Sequence, residues 1–345
     1  MTIKRAVLHA AKFAGIFALV RAATRRYPRI LCYHGGNLGD ERRYNPKLFC
    51  TREQLRERLD WLRRTGFVPA TLDEVATPGF APANGIAVAI TLDDGWYSSW
   101  HDLLPSMAEY GHRPVLYLHT EAYEAGAPII PVSVRYILWK AGPVAATLAG
   151  FDADAGAGMD GQWNLAERDD RHRLCAAAEA WLQASERREV ASKLERFAAA
   201  LGVPAADLDL ASRRFSYMTR DELQAASAGG CAIELHGHLH EYLPGQPERN
   251  RANIELCRDR IVAAGLPRPT HYCYPSGAFD AEAPQVMRAA GVSTATTCLP
   301  GFVRLKDGDT RYLLPRFLDG GDVSMIEFEA EMSGVMVLLR KLAGR

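Results

Sequence analysis

The run Ile86-Ala-Val-Ala-Ile-Thr-Leu92 is apolar throughout, reads as a strand, and stops at Asp93-Asp94-Gly95. The segments around it repeat the theme. Arg29 to His34 reads as a short buried strand ending at Gly35-Gly36. From Thr51 to Thr65, Leu55, Leu59 and Leu62 recur at helical spacing, with Thr51 to cap the helix and Gly66 to stop it. Phe67-Val68 starts a brief strand, a helix is expected around 99–110, and Pro114 to His119 reads as another strand. Further on, helices expected at 219–227, 249–265 and 281–290 alternate with strands at 231–235 and 270–274. Thr294 to Cys298 and Leu313 to Phe317 read as later strands. Such alternation predicts an α/β fold with a parallel sheet and helical crossovers.

From about 124 to 214 the rhythm breaks. Gly, Ala and Asp dominate 141–161 and a charged helical stretch covers 165–200, so 124–214 reads as a largely helical insertion. Asp152-Ala-Asp154-Ala-Gly156 resembles the start of a calcium loop. Ala157 stands where the sharp-turn Gly belongs and Trp163 where the bidentate Glu belongs, so a surface loop is expected.

The chain has 345 residues, 48% of them hydrophobic, enough for one large core. Its 41 basic and 41 acidic side chains cancel. A binder driven by phosphate neutralisation needs a basic surplus or stripe, so nucleic acid is not an expected partner. The seven cysteines include no CxxC pair, which fits reduced thiols in a cytoplasmic protein. The apolar run Phe13 to Val20 falls short of the roughly 20 residues that span a bilayer. Arg21, Arg25 and Arg26 stand where a signal-peptide cleavage site would be. Residues 1–28 are therefore expected to form a basic amphipathic helix. Residues 319–345 are expected to form a C-terminal helix of similar character. Each docks on the domain or touches a membrane peripherally. Oligomeric state leaves no signal in the sequence.

The chemistry lies at two places. Neighbouring strand residues point to opposite faces, so Asp93 and Asp94 converge only if the strand ends there, and Gly95 permits that turn. In parallel barrels, active sites gather at the C-terminal ends of strands. The second place is Glu234-Leu-His236-Gly-His238-Leu-His240, where 236 and 240 share a face whether the backbone is extended or helical. One Asp and two His are ligand types that zinc uses.

These residues resemble a family. Thr91-Leu-Asp-Asp-Gly95 and the His236-x3-His240 pair are similar to the first two motifs of the polysaccharide deacetylases (NodB-homology domain, carbohydrate esterase type). Tyr272-Cys-Tyr-Pro275-Ser-Gly277 resembles the third. The resemblance covers most of 29–123 and 215–318. It implies a distorted (β/α)7 barrel and a metal-dependent hydrolase that removes an N-acetyl or related acyl group from an amino sugar. Asp94, His236 and His240 would hold the ion, most simply Zn2+, and Asp93 would be the general base. The Ser276 N–H would stabilise the oxyanion. An acetylated carbohydrate, in surface-polysaccharide metabolism, is the implied substrate.

Three departures are visible. Cys273 stands where many members have an Arg that orients the base, and Arg316 of Leu-Pro-Arg-Phe is the candidate substitute. Ser276 replaces a Tyr. The late His of many members is missing, which leaves His34 as the candidate general acid, with His238 and His271 behind it. Tyr33, Trp96, Tyr97, His119 and Tyr274 are expected near the site. The departures keep other readings open: a weakened carbohydrate binder, or a deacylase for an O-acyl ester or non-sugar amide.

Overall fold

The computed structural model describes residues 3–121, 123, 127–148, 150–151, 158–305 and 308–343. The calcium-loop resemblance at 152–157 lies outside them.

Eight strands form the main sheet: β1 Arg29–Tyr33, β2 Phe67–Pro69, β3 Ile86–Asp93, β4 Val115–Leu118, β5 Ala232–Leu235, β6 His271–Cys273, β7 Thr294–Thr296 and β8 Phe317–Leu318. All pairings are parallel, in the order β7-β6-β5-β4-β3-β1-β8, with β2 on the first residues of β3. The sheet curls until its edges meet. Leu314, just ahead of β8, donates its N–H to Ala295 and accepts from Thr297, each at 2.9 Å. Seven strands therefore ring the core as a distorted (β/α)7 barrel. β3 is buried along its whole length, because helices cover one side of the parallel sheet and the barrel core the other.

Twelve helices matter below: α1 Ile3–Phe13, α2 Ile16–Ala23, α3 Arg52–Arg64, α4 Leu104–Glu109, α5 Ile130–Ala141, α6 Arg168–Gln183, α7 Val190–Ala200, α8 Arg220–Ala228, α9 Pro247–Ala263, α10 Ala283–Ala289, α11 Met325–Ser333 and α12 Val335–Leu342. Thr51 caps α3 by accepting from the Gln54 N–H at 3.1 Å. Thr219 and Glu222 form a capping box on α8. The helix expected at 99–110 opens with a π-turn, Ser99–Leu103, before α4.

Each chain end differs from the single helix expected there. Gly15 (φ 77°) separates α1 from α2, and Gly334 (φ 91°) separates α11 from α12. A left-handed residue breaks the hydrogen-bond ladder, and glycine adopts that conformation without a Cβ clash.

Between β4 and β5, helices α5, α6 and α7 pack into a second apolar cluster that also takes in Phe49 and Trp96. A small antiparallel pair, Ala145–Thr147 with Gln162–Asn164, lies on the same stretch. Arg214 anchors this layer. It pairs with Asp40 and with the fully buried Glu41 at 2.5 Å each, while Lys140 reaches Asp40 at 2.8 Å. The chain then returns beside the Asp-Asp turn: Ser216 accepts from the Tyr97 N–H, and Gly95 from that of Met218.

Candidate metal centre and active site

Asp93 is the last residue of β3, and Asp94 takes a left-handed conformation (φ 76°) that swings its carboxylate to the same end of the barrel. Non-glycine residues occupy that region rarely, and such outliers gather at functional sites. Gly95 follows at φ 75°, where a Cβ would stand 2.5 Å from Leu118. The turn thus favours glycine, since a larger residue would be strained at that φ and would have to push the Leu118 side chain aside.

His236 and His240 come from the loop after β5, which is neither strand nor helix. Asp94 Oδ1 lies 3.3 Å from His236 Nε2 and 3.2 Å from His240 Nε2. Four tetrahedral ligands on about 2 Å bonds sit about 3.3 Å from one another, so the spacing suits one small divalent ion. His236 Nδ1 is 2.9 Å from the Cys273 carbonyl oxygen. A carbonyl only accepts, so Nδ1 carries the proton and Nε2 turns its lone pair toward Asp94. The His240 side chain is 37% exposed, which leaves the triad open to solvent on that side. Burial opposes the charge on Asp94, but His240 and the nearness of both imidazoles hold its carboxyl well below the usual range.

Asp93 is gripped differently. Arg316, fully buried, places Nη1 2.7 Å from Oδ1 and Nη2 2.8 Å from Oδ2. Its remaining donors go to Thr91 Oγ1 and Cys273 Sγ, each at 2.9 Å, and to the Thr297 carbonyl at 3.0 Å. Burial pushes the Asp93 carboxyl up; the Arg316 charge and its two bonds outweigh that and hold it at about 2. Arg316 thus stands in the barrel interior rather than on a strand edge. Asp93, His236 and Cys273 also lie close together, but the guanidinium on both Asp93 oxygens makes that corner unsuitable for a cation.

His34 Nε2 is 3.9 Å from Asp93 Oδ2, and its side chain reaches solvent. Ser276 is exposed, in the turn Pro275–Gly277 directly after β6, at φ 54°. His119 is buried, its ring edge-on to Tyr217 and 5.1 Å from that of His240. Trp96 is buried on Phe49 and faces His34 at 6.0 Å, while Tyr97 lies under Arg213.

Four expected neighbours belong elsewhere. Tyr33 is a core residue that donates to Asp319 at 2.9 Å, and Tyr274 is buried with its hydroxyl on the Tyr312 carbonyl at 3.0 Å. His238 turns away to Thr120 Oγ1 at 2.9 Å. His271 starts β6, at the opposite end of the barrel, and meets Asp73 at 3.0 Å and Thr294 at 2.7 Å.

Sequence reasoning missed the supports. Asn253 of α9 accepts from the N–H groups of His238 and Leu239, each at 2.9 Å, and donates to the Glu241 carbonyl at 3.0 Å. Asn250 does the same for Leu243, with both bonds at 2.8 Å. A polar pair three residues apart on a helix facing the barrel is a weak sequence signal, readable only once the loop's position is known. The Cys32 thiol, 3.5 Å from Asp93 Oδ2, gave no signal at all, whereas the Cys273 thiol, 3.7 Å away, stands where the resemblance puts a base-orienting Arg.

The polysaccharide deacetylase family profile matches residues 188–295, a span containing both triad histidines and Ser276. No curated protein matches the chain. Among solved structures the fold is similar to that of the Streptococcus pyogenes deacetylase PplD in complex with acetate. The identity is 13% and the TM-score 0.55, over 89% of this chain and 98% of that one. IcaB from Ammonifex degensii is 17% identical, with a TM-score of 0.53 over 89% and 97% of the two chains. A de-N-acetylase from Aggregatibacter actinomycetemcomitans is 12% identical, with a TM-score of 0.52 over 88% and 99%. At these identities the likeness is one of fold. The chain resembles the polysaccharide deacetylase family in sequence signature over 188–295 and in fold through most of its length.

Proposed function

We propose that the protein is a metal-dependent hydrolase that removes an N-acetyl or related acyl group from an amino sugar of a glycan or carrier-linked saccharide, in surface-polysaccharide metabolism. One observation carries the reading: Asp94 Oδ1 lies within 3.3 Å of an imidazole nitrogen of both His236 and His240, beside a second carboxylate that a buried arginine keeps ionised and fixed. Asp94, His236 and His240 would hold a divalent ion that would supply Lewis acidity, lowering the pKa of a water toward about 7 and polarising an acyl oxygen.

The chain's own residues supply the rest. Asp93 accepts the proton of the attacking water as its oxygen bonds to the acyl carbon. Arg316 gives that carboxylate one orientation, which is where its contribution to rate lies. The exposed Ser276 N–H offers a donor to the oxyanion. As the C–N bond breaks, His34 gives a proton to the leaving nitrogen. Its partial exposure lets it be reprotonated from solvent.

Bound metal and acetate release from acetylated amino-sugar oligomers should be measured together, for wild type and Asp93→Asn. Expected are about one divalent ion per chain in both proteins and turnover in wild type alone. Metal binding without turnover on any N-acetylated, O-acetylated or non-sugar substrate would leave a carbohydrate binder. Turnover that survives Asp93→Asn would remove Asp93 from the base position.

A further inference from the structure

We infer that the two chain ends together form a face that docks on a lipid surface bearing anionic headgroups. Among the described residues, eight of the fourteen exposed large apolar side chains lie on α1, α2 and α12 or at their ends: Ile3, Val7, Phe13, Ile16, Leu19, Leu338, Leu339 and Leu342. Phe13 is 96% exposed, at the elbow where α1 and α2 bend by 74°. The opposite sides of these helices are used, since Leu8 and Phe17 pack with Ile326, Ala330 and Val335. The helices are therefore anchored to the domain and amphipathic in the sense that suits a membrane interface. No single helix among the described residues is long and apolar enough to cross a bilayer.

Charge selects the occupant. Residues 1–28 contain Lys4, Arg5, Lys12, Arg21, Arg25 and Arg26 and no acid, and 334–343 add Arg340 and Lys341, again without an acid. Glu327, Glu329 and Glu331 of α11 pair with Lys4 and Arg5, with Lys12, and with Arg340. Arg25, Arg26 and Lys341 remain exposed, with no carboxylate partner among the described residues. In a chain of zero net charge this is a local positive rim around an apolar face. A second copy related by a two-fold axis would set cations against cations; anionic headgroups complement them.

The face also has a direction. Arg29, the first residue of β1, donates to the carbonyls of Thr24 and Met332, which places the terminal helices at the N-terminal ends of the strands. Asp93 closes β3 and His236 follows β5, both at the C-terminal ends. Docking would thus turn the candidate site away from the bilayer, toward substrate arriving through water. The docking itself does not depend on the reading of that site.

Flotation with vesicles of phosphatidylcholine, with and without phosphatidylglycerol, tests the inference. Full-length protein should float with the anionic vesicles, less so at high salt. Arg25→Ser, Arg26→Ser and Lys341→Ser should each weaken binding about fivefold. Phe13→Ser with Leu19→Ser should abolish it while the melting temperature and turnover of a soluble substrate stay unchanged. Phe13→Trp, which keeps the apolar face, should be quenched by brominated lipid. The inference is overturned by wild type that stays unbound, by binding indifferent to these substitutions, or by a dimer that Phe13→Ser splits.

Discussion

Arg316 and Asp93 meet through two parallel hydrogen bonds with almost no solvent around them, so removing either partner strands the other. Arg316→Met should destabilise the protein by about 3–5 kcal/mol in urea unfolding, the usual cost of an orphaned buried charge. Arg316→Lys keeps the cation but loses the planar fork. It should fold, yet lose about 100-fold in turnover with little change in KM, because the carboxylate is no longer held in one place. Equal loss in KM and kcat would mean that Arg316 serves binding instead. His112 poses the reverse problem. It is buried beside an apolar cavity of about 320 Å³, its Nδ1 has no partner among the described residues, and burial pushes its pKa down to about 4. The unfolded imidazole titrates near 6.5, so between about 6.5 and 4 the unfolded chain binds more protons and the native state loses stability as pH falls. His112→Leu removes that proton uptake. Guanidinium titrations should show the variant favoured by about 2 kcal/mol more at pH 4.5 than at pH 7, whatever the offset at pH 7. A pH-independent difference would refute this.

At the scale of elements, the loop 236–241 depends on α9. Gly237 turns at φ 75°, where a Cβ would stand 2.8 Å from Asn253 Nδ2. Asn253 in turn bonds the backbone of His238, Leu239 and Glu241. Asn253→Ala should leave the barrel folded but loosen both imidazoles, weakening metal binding about 10- to 100-fold in a competitive chelator titration. Unchanged affinity would show that the loop is held by other contacts. The same elements show what the sequence could disclose. β3 and α3 were legible because an unbroken apolar run and a three-to-four spacing each have one structural solution. The Asp-Asp-Gly turn and the 236/240 pair were legible because the chemistry needs those side chains close together. Asn253 and the Cys32 thiol at Asp93 were not, since their roles exist only after elements distant in sequence are packed. Tyr33 and Tyr274 misled for a related reason. Sequence puts them beside the motif, but strand alternation turns them into the core.

For the molecule as a whole, the triad is assembled by the ring. Asp94 follows β3 while His236 and His240 follow β5, with β4 and the helical layer of α5, α6 and α7 between them in sequence. An unfolded chain has no means of presenting these donors together, so an ion that binds here binds the native state and stabilises it by mass action. Zinc at one hundred times its dissociation constant should add about 2.7 kcal/mol, read as a rise of a few degrees in melting temperature. Asp93→Asn should keep that rise, because Asp93 belongs to Arg316 and not to the donor set. Asp94→Ala should lose it, and the effect should shrink as pH falls, because an imidazole that takes a proton no longer offers a lone pair to metal. A rise that persists in Asp94→Ala would place the ion elsewhere on the chain, and the hydrolytic reading would lose the geometry on which it stands.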